Sequence, residues 1–224
     1  MYQNKIKRIF DLLLALTLLI VFLPLLIFIS ILVFICVDKR ILFVQVRPGL
    51  NEKPFKLYKF KTMTDTKNDM GEYLPDSERI TKFGNLLRMT SLDELPELLN
   101  ILKGDMSFVG PRPQLIKDLI FMTKEQRTRH NVKPGLTGLA QISGRNRLDW
   151  ISKLKLDVRY VQNINAKLDL KILIKTTLYV FKIHETHEDQ HVSSLDYGDY
   201  LLKNNIITKD TYDHIIETHS ELLT

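Results

Sequence analysis

The chain has 224 residues, 45% of them hydrophobic and 26% charged, which excludes a disordered polymer and allows one folded core plus an apolar segment. Its formal charge of +6 suits nucleic acid, anionic lipid or phosphorylated ligands, and charge alone does not choose among them. The single cysteine, Cys36, excludes an internal disulfide; in apolar surroundings a thiol is poorly ionised, so it reads as packing or lipid contact rather than a nucleophile.

From Leu12 to Val37 no residue is charged and only Thr17 and Ser30 carry hydroxyls. About 20 such residues suffice to cross a bilayer. A cleaved signal peptide fits poorly, because the run exceeds the usual ~7–15 apolar residues and no small-x-small cleavage site follows. Pro24 divides the run into Leu12–Leu23 and Leu25–Val37, each about 18 Å long if helical, little more than one leaflet. A sharp kink at the proline would return both halves to one face. Lys5, Lys7 and Arg8 precede the run and Lys39, Arg40 and Arg47 follow it, so the positive-inside bias draws both flanks to the cytoplasm. A re-entrant hairpin over residues 1–40 satisfies both flanks; a membrane-spanning helix, the alternative, satisfies one.

Beyond it, Ile41–Val46 and Phe55–Phe60 are β-branched or aromatic stretches beside Pro48, Gly49 and Pro54, which predicts a short β-hairpin. Helical spacing of apolar residues predicts helices over Ile80–Arg88, Glu94–Leu102, Leu115–Gln126, Trp150–Asn163 and Leu168–Lys182. The last interleaves Lys167, Lys171, Lys175 and Lys182 with apolar residues, as an amphipathic helix at a membrane interface or a core helix with a solvated lysine face would. The fold class is therefore an α-rich α+β domain over residues 41–182 behind the membrane anchor. Residues 183–224 read as a polar, solvated tail. Its His184, His187 and His191 miss the HExxH zinc spacing, since the second histidine comes one residue too early.

The stretch Thr90-Ser91-Leu92-Asp93-Glu94-Leu95-Pro96 sets two adjacent carboxylates where a helix should begin. Ser91 and Glu94 match a capping box, a purely structural role. Pro96 suits a helix start nearer Asp93, which would place that carboxylate at the positive end of the helix dipole, ionised and able to attack phosphorus. Basic residues complete the pattern: Arg88 just before, Lys59 and Lys61 in Lys59-Phe60-Lys61-Thr62-Met63, and Arg112 between Pro111 and Pro113. Phosphoryl transfer needs such charge neutralisation. The two prolines stiffen the loop that presents Arg112, either to grip phosphate or as a plain surface turn. The glycine-rich run Lys133–Arg145 is neither a Walker A loop nor a dinucleotide fingerprint and indicates close backbone approach.

Together with Lys7-Arg8-Ile9-Phe10-Asp11, Gly104–Pro113 and Lys133-Pro134-Gly135-Leu136-Thr137-Gly138, these motifs resemble, in order and spacing, the bacterial sugar transferases, or monotopic phosphoglycosyl transferases, from Lys5 to about Lys182. The resemblance implies that Asp93 attacks the β-phosphate of a UDP-sugar, releases UMP, and passes the phosphosugar to polyprenyl (undecaprenyl) phosphate. It implies Glu94 as the ligand of Mg2+, and Lys59, Arg88, Arg112 and Arg145 as phosphate and substrate contacts. It also implies a minimal enzyme on the bacterial inner membrane, facing the cytoplasm, at the first membrane step of assembling a capsule, O-antigen, exopolysaccharide or glycoprotein glycan. One departure is Leu23 before the kinking proline, where small members often have serine. The competing reading is a non-catalytic membrane-surface scaffold, whose basic helices hold anionic lipid while Asp93 and Glu94 cap a helix. Nucleic acid is disfavoured, because the lysines follow interface helices rather than one groove-sized stripe.

Overall fold

A computed structural model of the chain describes residues 2–144, 148–181 and 195–219. Two compact units divide it, one of Arg8–Gln45 and Lys56–Gly104, the other of Met1–Lys7, Val46–Phe55 and Asp105–Thr224.

A short π-helical turn, Tyr2–Ile6, leads into α1 (Lys7–Cys36), one helix that runs through Pro24 instead of two separated halves. Proline deletes one backbone donor, and the helical bonds on either side carry the chain across the gap. Thr17 and Ser30 donate their hydroxyls to the carbonyls of Leu13 and Leu26, so neither polar group is left unmet on an apolar helix. Burial falls at the two ends: Lys7, Asp11 and Ala15 near the start, Ile29, Val33 and Val37 near the end, each set spaced by one helical turn. Between residues 16 and 28 no side chain is buried.

In the Arg8–Gly104 unit, Ile29, Val33 and Val37 pack on Phe60 and Leu87, with Leu92 and Leu95 at the edge. Phe60 ends β2 (Pro54–Phe60), which pairs with β1 (Leu42–Pro48) as the predicted hairpin. After a short helix α2 (Asp76–Arg79), α3 (Lys82–Thr90) begins at Thr81, whose hydroxyl accepts from the Gly84 N–H. Next come a 3-10 turn, Leu92–Glu94, and α4 (Glu97–Lys103). At the start of α1, Arg8 donates to the carbonyls of Ile101 and Leu102 at 2.5 and 2.7 Å, neutralising the C-terminal end of α4.

The other unit is built on β3 (Ser107–Val109) and β4 (Gly135–Thr137), a parallel pair in register Ser107 to Gly135 and Val109 to Thr137. Gly110 and Gly135 let the chains approach: a Cβ on Gly135 would fall 2.1 Å from the Gly110 nitrogen, which accounts for the glycine-rich run. Instead of one helix over Leu115–Gln126 there are two short ones, α5 (Ile116–Leu119) and α6 (Lys124–Arg127), because Thr123 and Gln126 form a capping box that restarts the chain. Then follow α7 (Leu139–Ser143), α8 (Trp150–Gln162) and α9 (Ala166–Phe181). On α9, Ile172 is buried while Leu170, Ile174 and Leu178 are exposed at one-turn spacing, an apolar stripe beside the lysines. Asp169 of α9 accepts from Lys7 at 2.5 Å and from Tyr2 at 2.6 Å, and the Tyr160 hydroxyl lies 2.7 Å from its other oxygen.

Part of the expected solvated tail is folded. Residues 195–219 hold α10 (Tyr197–Lys203) and α11 (Lys209–Thr218), and Tyr197 and Leu201 join Leu119, Met122, Trp150 and Leu154 in one buried cluster. The physical reason is an apolar face, Tyr197, Leu201 and Ile207, that the polar surroundings hide. His184, His187, His191 and Lys182 lie outside the described residues.

Candidate active site

The turn bearing Asp93 is shaped by the two helices around it. Gly84 allows α3 to lie against the strand exit at Thr62, where a Cβ would sit 1.9 Å from the Thr62 carbonyl oxygen. One turn later Arg88 donates through Nε to the Thr62 hydroxyl at 2.9 Å. Ser91 then ends α3 in the left-handed region (φ 56, ψ 19), its N–H meeting the Arg88 and Leu87 carbonyls. Its side chain makes no cap bond, so the capping box expected of Ser91 and Glu94 does not form. Nor is Asp93 in the first turn of an α-helix: it lies in the 3-10 turn Leu92–Glu94, and Pro96 is the N-cap of α4. Proline at that cap sets φ at −62 and delays the helix to Glu97. Asp93 therefore does not lie at the positive end of an α-helix dipole.

Leu92 and Leu95 hold the turn by packing on the apolar cluster, and Asp93 between them is buried at 9% exposure. Beside it, Lys59 Nζ lies 2.7 Å from Glu94 Oε1 and 3.3 Å from Glu97 Oε1. The register of β2 against α4 is set by Asn100, fully buried, whose carboxamide donates to the Lys56 carbonyl at 2.6 Å and accepts from the Tyr58 N–H at 3.1 Å. A lysine flanked by two carboxylates neutralises charge on the Glu94 and Glu97 side chains next to the Asp93 turn. Lys61, grouped with Lys59 from the sequence, has a structural job instead: it is buried and bonded to Asp38 at 2.9 Å and Asp65 at 2.6 Å. With the Arg40 N–H, it holds the Asp38 carboxyl below the usual range.

In the other unit, Arg112 sits on a loop whose carbonyls are pinned in succession. Gly135 N–H bonds Pro111 at 2.9 Å, Arg129 bonds Arg112 at 2.5 Å, and Arg47 bonds Pro113 at 3.4 Å. The stiffness expected from the prolines is reinforced by hydrogen bonds. Arg129, 1% exposed, is itself held by Asp157 of α8 at 3.0 and 2.8 Å. Arg145 lies outside the described residues.

The structure thus joins Lys59, Asp93, Glu94 and Arg88 in one unit and places Arg112 in the other. It adds Glu97, Asn100, Arg129 and Asp157, which sequence reading missed. Glu97 had one available signal, its i+3 spacing from Glu94; the others act through partners distant in sequence.

Residues 2–183 match the bacterial sugar transferase family. The chain is 49% identical over 189 residues to the uncharacterized sugar transferase EpsL of Bacillus subtilis (strain 168), covering 84% of this chain and 94% of that protein. It is 38% identical over 187 residues to the exopolysaccharide production protein ExoY of Sinorhizobium fredii, covering 76% and 83% of the two chains. It is 39% identical over 186 residues to the UDP-glucose:undecaprenyl-phosphate glucose-1-phosphate transferase of Klebsiella pneumoniae, over 79% of this chain. The match spans only 39% of that longer relative's own length. The chain belongs to the bacterial sugar transferase family.

Proposed function

We propose that this chain is a membrane-bound phosphoglycosyl transferase that moves a sugar-1-phosphate from a UDP-sugar to polyprenyl phosphate through a covalent intermediate on Asp93. The observation that carries the reading is Asp93 itself: a buried carboxylate in a rigid turn beside the Lys59, Glu94 and Glu97 cluster, in a family whose Klebsiella and Escherichia coli relatives are named for this transfer. In the first step an Asp93 oxygen bonds the sugar-bearing phosphorus and the bond to UMP breaks, its electrons leaving on the UMP phosphate. In the second, an oxygen of polyprenyl phosphate attacks the same phosphorus and Asp93 leaves as a free carboxylate. The scaffold alternative loses its footing with the absent capping box, since helix capping was its account of Asp93 and Glu94.

The carboxylates of Asp93, Glu94 and Glu97 are the hard oxygen donors that Mg2+ takes, commonly one or two of them together with substrate phosphates. Among the described residues no group of three or more His, Cys, Asp or Glu could hold a metal ion by itself, so an ion here would need one or two of these carboxylates together with substrate phosphates. Glu94 is the residue assigned to that ion, which when bound supplies positive charge to the diphosphate.

The membrane reading includes a re-entrant α1, bent at Pro24 with both ends on the cytoplasmic side. Supporting it, a straight α1 would set Arg8 and Val33 about 37 Å apart at 1.5 Å per residue. Both ends nevertheless bind the Leu92–Leu102 region, Arg8 at the Ile101 and Leu102 carbonyls and the Ile29–Val37 face in the cluster that includes Leu92 and Leu95. The unburied middle would then be the part that dips into lipid, and the Leu170, Ile174 and Leu178 stripe would rest on the lipid surface.

Asp93→Asn keeps shape and removes the anionic nucleophile. With the correct UDP-sugar and no acceptor, intact-protein mass spectrometry should show wild-type protein heavier by one phosphosugar and Asp93→Asn unmodified. Product formation by Asp93→Asn at near wild-type rate would replace the covalent route with direct attack by polyprenyl phosphate.

A further inference from the structure

Four arginines lie in the unit of Arg8–Gln45 and Lys56–Gly104, and three of them are engaged by protein carbonyls or carboxylates. Arg8 donates to the Ile101 and Leu102 carbonyls, Arg40 meets Asp38 and Asp65, and Arg79 meets Asp76. Arg88 differs. It is exposed, and among the described residues no carboxylate or carbonyl takes its guanidinium; its one side-chain bond runs from Nε to the Thr62 hydroxyl at 2.9 Å.

That hydroxyl is a fixed point. Thr62 is 6% exposed, the Lys61 N–H bonds the Ile41 carbonyl at 2.9 Å, the Thr62 carbonyl accepts from the Thr81 N–H at 3.3 Å, and Met63 bridges Ile80. The Arg88 main chain is fixed too, since its carbonyl accepts from the Ser91 N–H that closes α3. An arginine restrained at its backbone and at Nε keeps few rotamers, and its planar fork still has Nη1 and Nη2 to offer. Two N–H groups on a stiff mount suit the oxygens of a phosphate, taken bidentately. The same stretch carries Lys59, whose ammonium lies 2.7 Å from Glu94, so it orients side chains of both α3 and the Leu92–Glu94 turn. We propose that Thr62 is a positioning residue, its hydroxyl holding Arg88 at Nε so that Nη1 and Nη2 grip one phosphoryl group. This rests on the reading that Arg88 contacts substrate phosphate, and the phosphoryl group belongs either to the nucleotide-sugar or to the lipid carrier. The competing account is a surface arginine that merely steadies α3 against the strand exit.

The test uses the full chain in detergent or nanodiscs. Thr62→Val keeps the shape and removes the hydroxyl; because Arg88 is exposed, the released Nε–H turns to water, so Tm should hardly move. The variant should lower kcat/KM for one of the two phosphate substrates about 10-fold, the worth of a hydrogen bond to a charged group, and Thr62→Ser should restore most of it. Arg88→Ala should lower the same kcat/KM further, and adding Thr62→Val to it should change nothing more, since the hydroxyl acts only through Arg88. A loss confined to the UDP-sugar, with weaker thermal stabilisation by UMP, assigns the donor. A loss confined to polyprenyl phosphate, with weaker stabilisation by inorganic phosphate but not by UMP, assigns the carrier. Unchanged kcat/KM for both substrates in Thr62→Val overturns the proposal. So does a loss that persists in full in the Arg88→Ala background, or one that follows a lowered Tm and that serine fails to restore. If wild-type protein forms no phosphosugar adduct with any donor, the transferase reading fails, while stabilisation by UMP and phosphate, compared between wild type, Arg88→Ala and Thr62→Val, still decides Thr62.

Discussion

Lys59 is the residue on which the charge balance beside Asp93 turns. Glu97 is 2% exposed and lies 3.3 Å from Lys59, so removing the lysine takes a counter-charge away from a buried carboxylate. Breaking such a pair from one side typically costs on the order of 3 kcal/mol. Lys59→Met should therefore lower both activity and Tm. Adding Glu97→Gln should restore stability but not activity, a split that urea or thermal unfolding alongside turnover would read. Equal losses in the single and double variants would mean that Lys59 does not serve Glu97. A second residue-scale consequence concerns His130, buried beside Arg129. Burial first, then the Arg129 charge, lower its pKa from 6.5 to about 4. Arg129 lies 3.2 Å from His130 Nε2, and Nδ1 lies 3.2 Å from the Arg127 carbonyl, which fits a neutral ring protonated at Nδ1. Between about pH 4 and 6.5 the unfolded chain binds the proton that the folded chain refuses, so this contribution is complete above pH 6.5 and is lost on acidification toward 4. His130→Gln should flatten that stretch of the stability profile. A wild-type and variant difference that stays constant from pH 4 to pH 7 would remove His130 as the cause.

At the scale of elements, α10 and α11 are the addition beyond the family match, which ends at residue 183. Tyr197 and Leu201 are buried, the Trp150 indole N–H reaches the Leu195 carbonyl at 2.9 Å, and Asp118 accepts from the Tyr197 N–H at 2.9 Å. Burial and the nearby Asp196 charge push the Asp118 carboxyl up, which the Tyr197 and Leu115 N–H groups oppose. Two large side chains are worth roughly 1.5–3 kcal/mol each. A chain ending at Ser194 should accordingly lose about 3–6 kcal/mol and expose Trp150 and Leu154, read as a fall in Tm and a red-shifted Trp150 emission. Unchanged Tm and emission would make the two helices a separable appendage. These helices escaped sequence reading because a single apolar face is faint in a polar stretch. By contrast, the β1–β2 hairpin was legible from Pro48, Gly49 and Pro54, and α8 to within a residue, because local turn chemistry and one strong periodicity fix them. The break between α5 and α6 lay in the Thr123 to Gln126 signature, overridden by apolar spacing. Asp93, Glu94 and Lys59 in one unit and Arg112 in the other stood out as motif residues. The Lys59 bond to Glu97, the Asn100 bracket and the Arg129 chain to Asp157 join residues 28 to 44 positions apart or reach a backbone carbonyl, and no local pattern encodes them.

For the whole molecule the decisive question is on which side of the membrane the start of the chain lies. The hydrocarbon core is about 30 Å thick, and a straight 30-residue helix is about 45 Å long, so α1 is long enough to span if nothing bends it. Against spanning stand the restraints on its first turn. Lys7 is buried against Asp169, and Arg8 makes two charge-assisted bonds to α4 carbonyls. Each such bond is worth roughly 1.5–3 kcal/mol, and carrying Lys7 and Arg8 across the bilayer would forfeit them as well as their hydration. In a Cys36→Ala background, Lys5→Cys and Lys53→Cys should both resist a membrane-impermeant maleimide in intact cells and react once the cells are opened. Combining Lys7→Ala and Arg8→Ala with Pro24→Leu removes the restraints together with the proposed bend, and should make Lys5→Cys reactive from outside while Lys53→Cys stays protected. Labelling of Lys5→Cys in intact cells with the restraints in place would show that α1 spans the membrane, and the re-entrant reading would then be discarded.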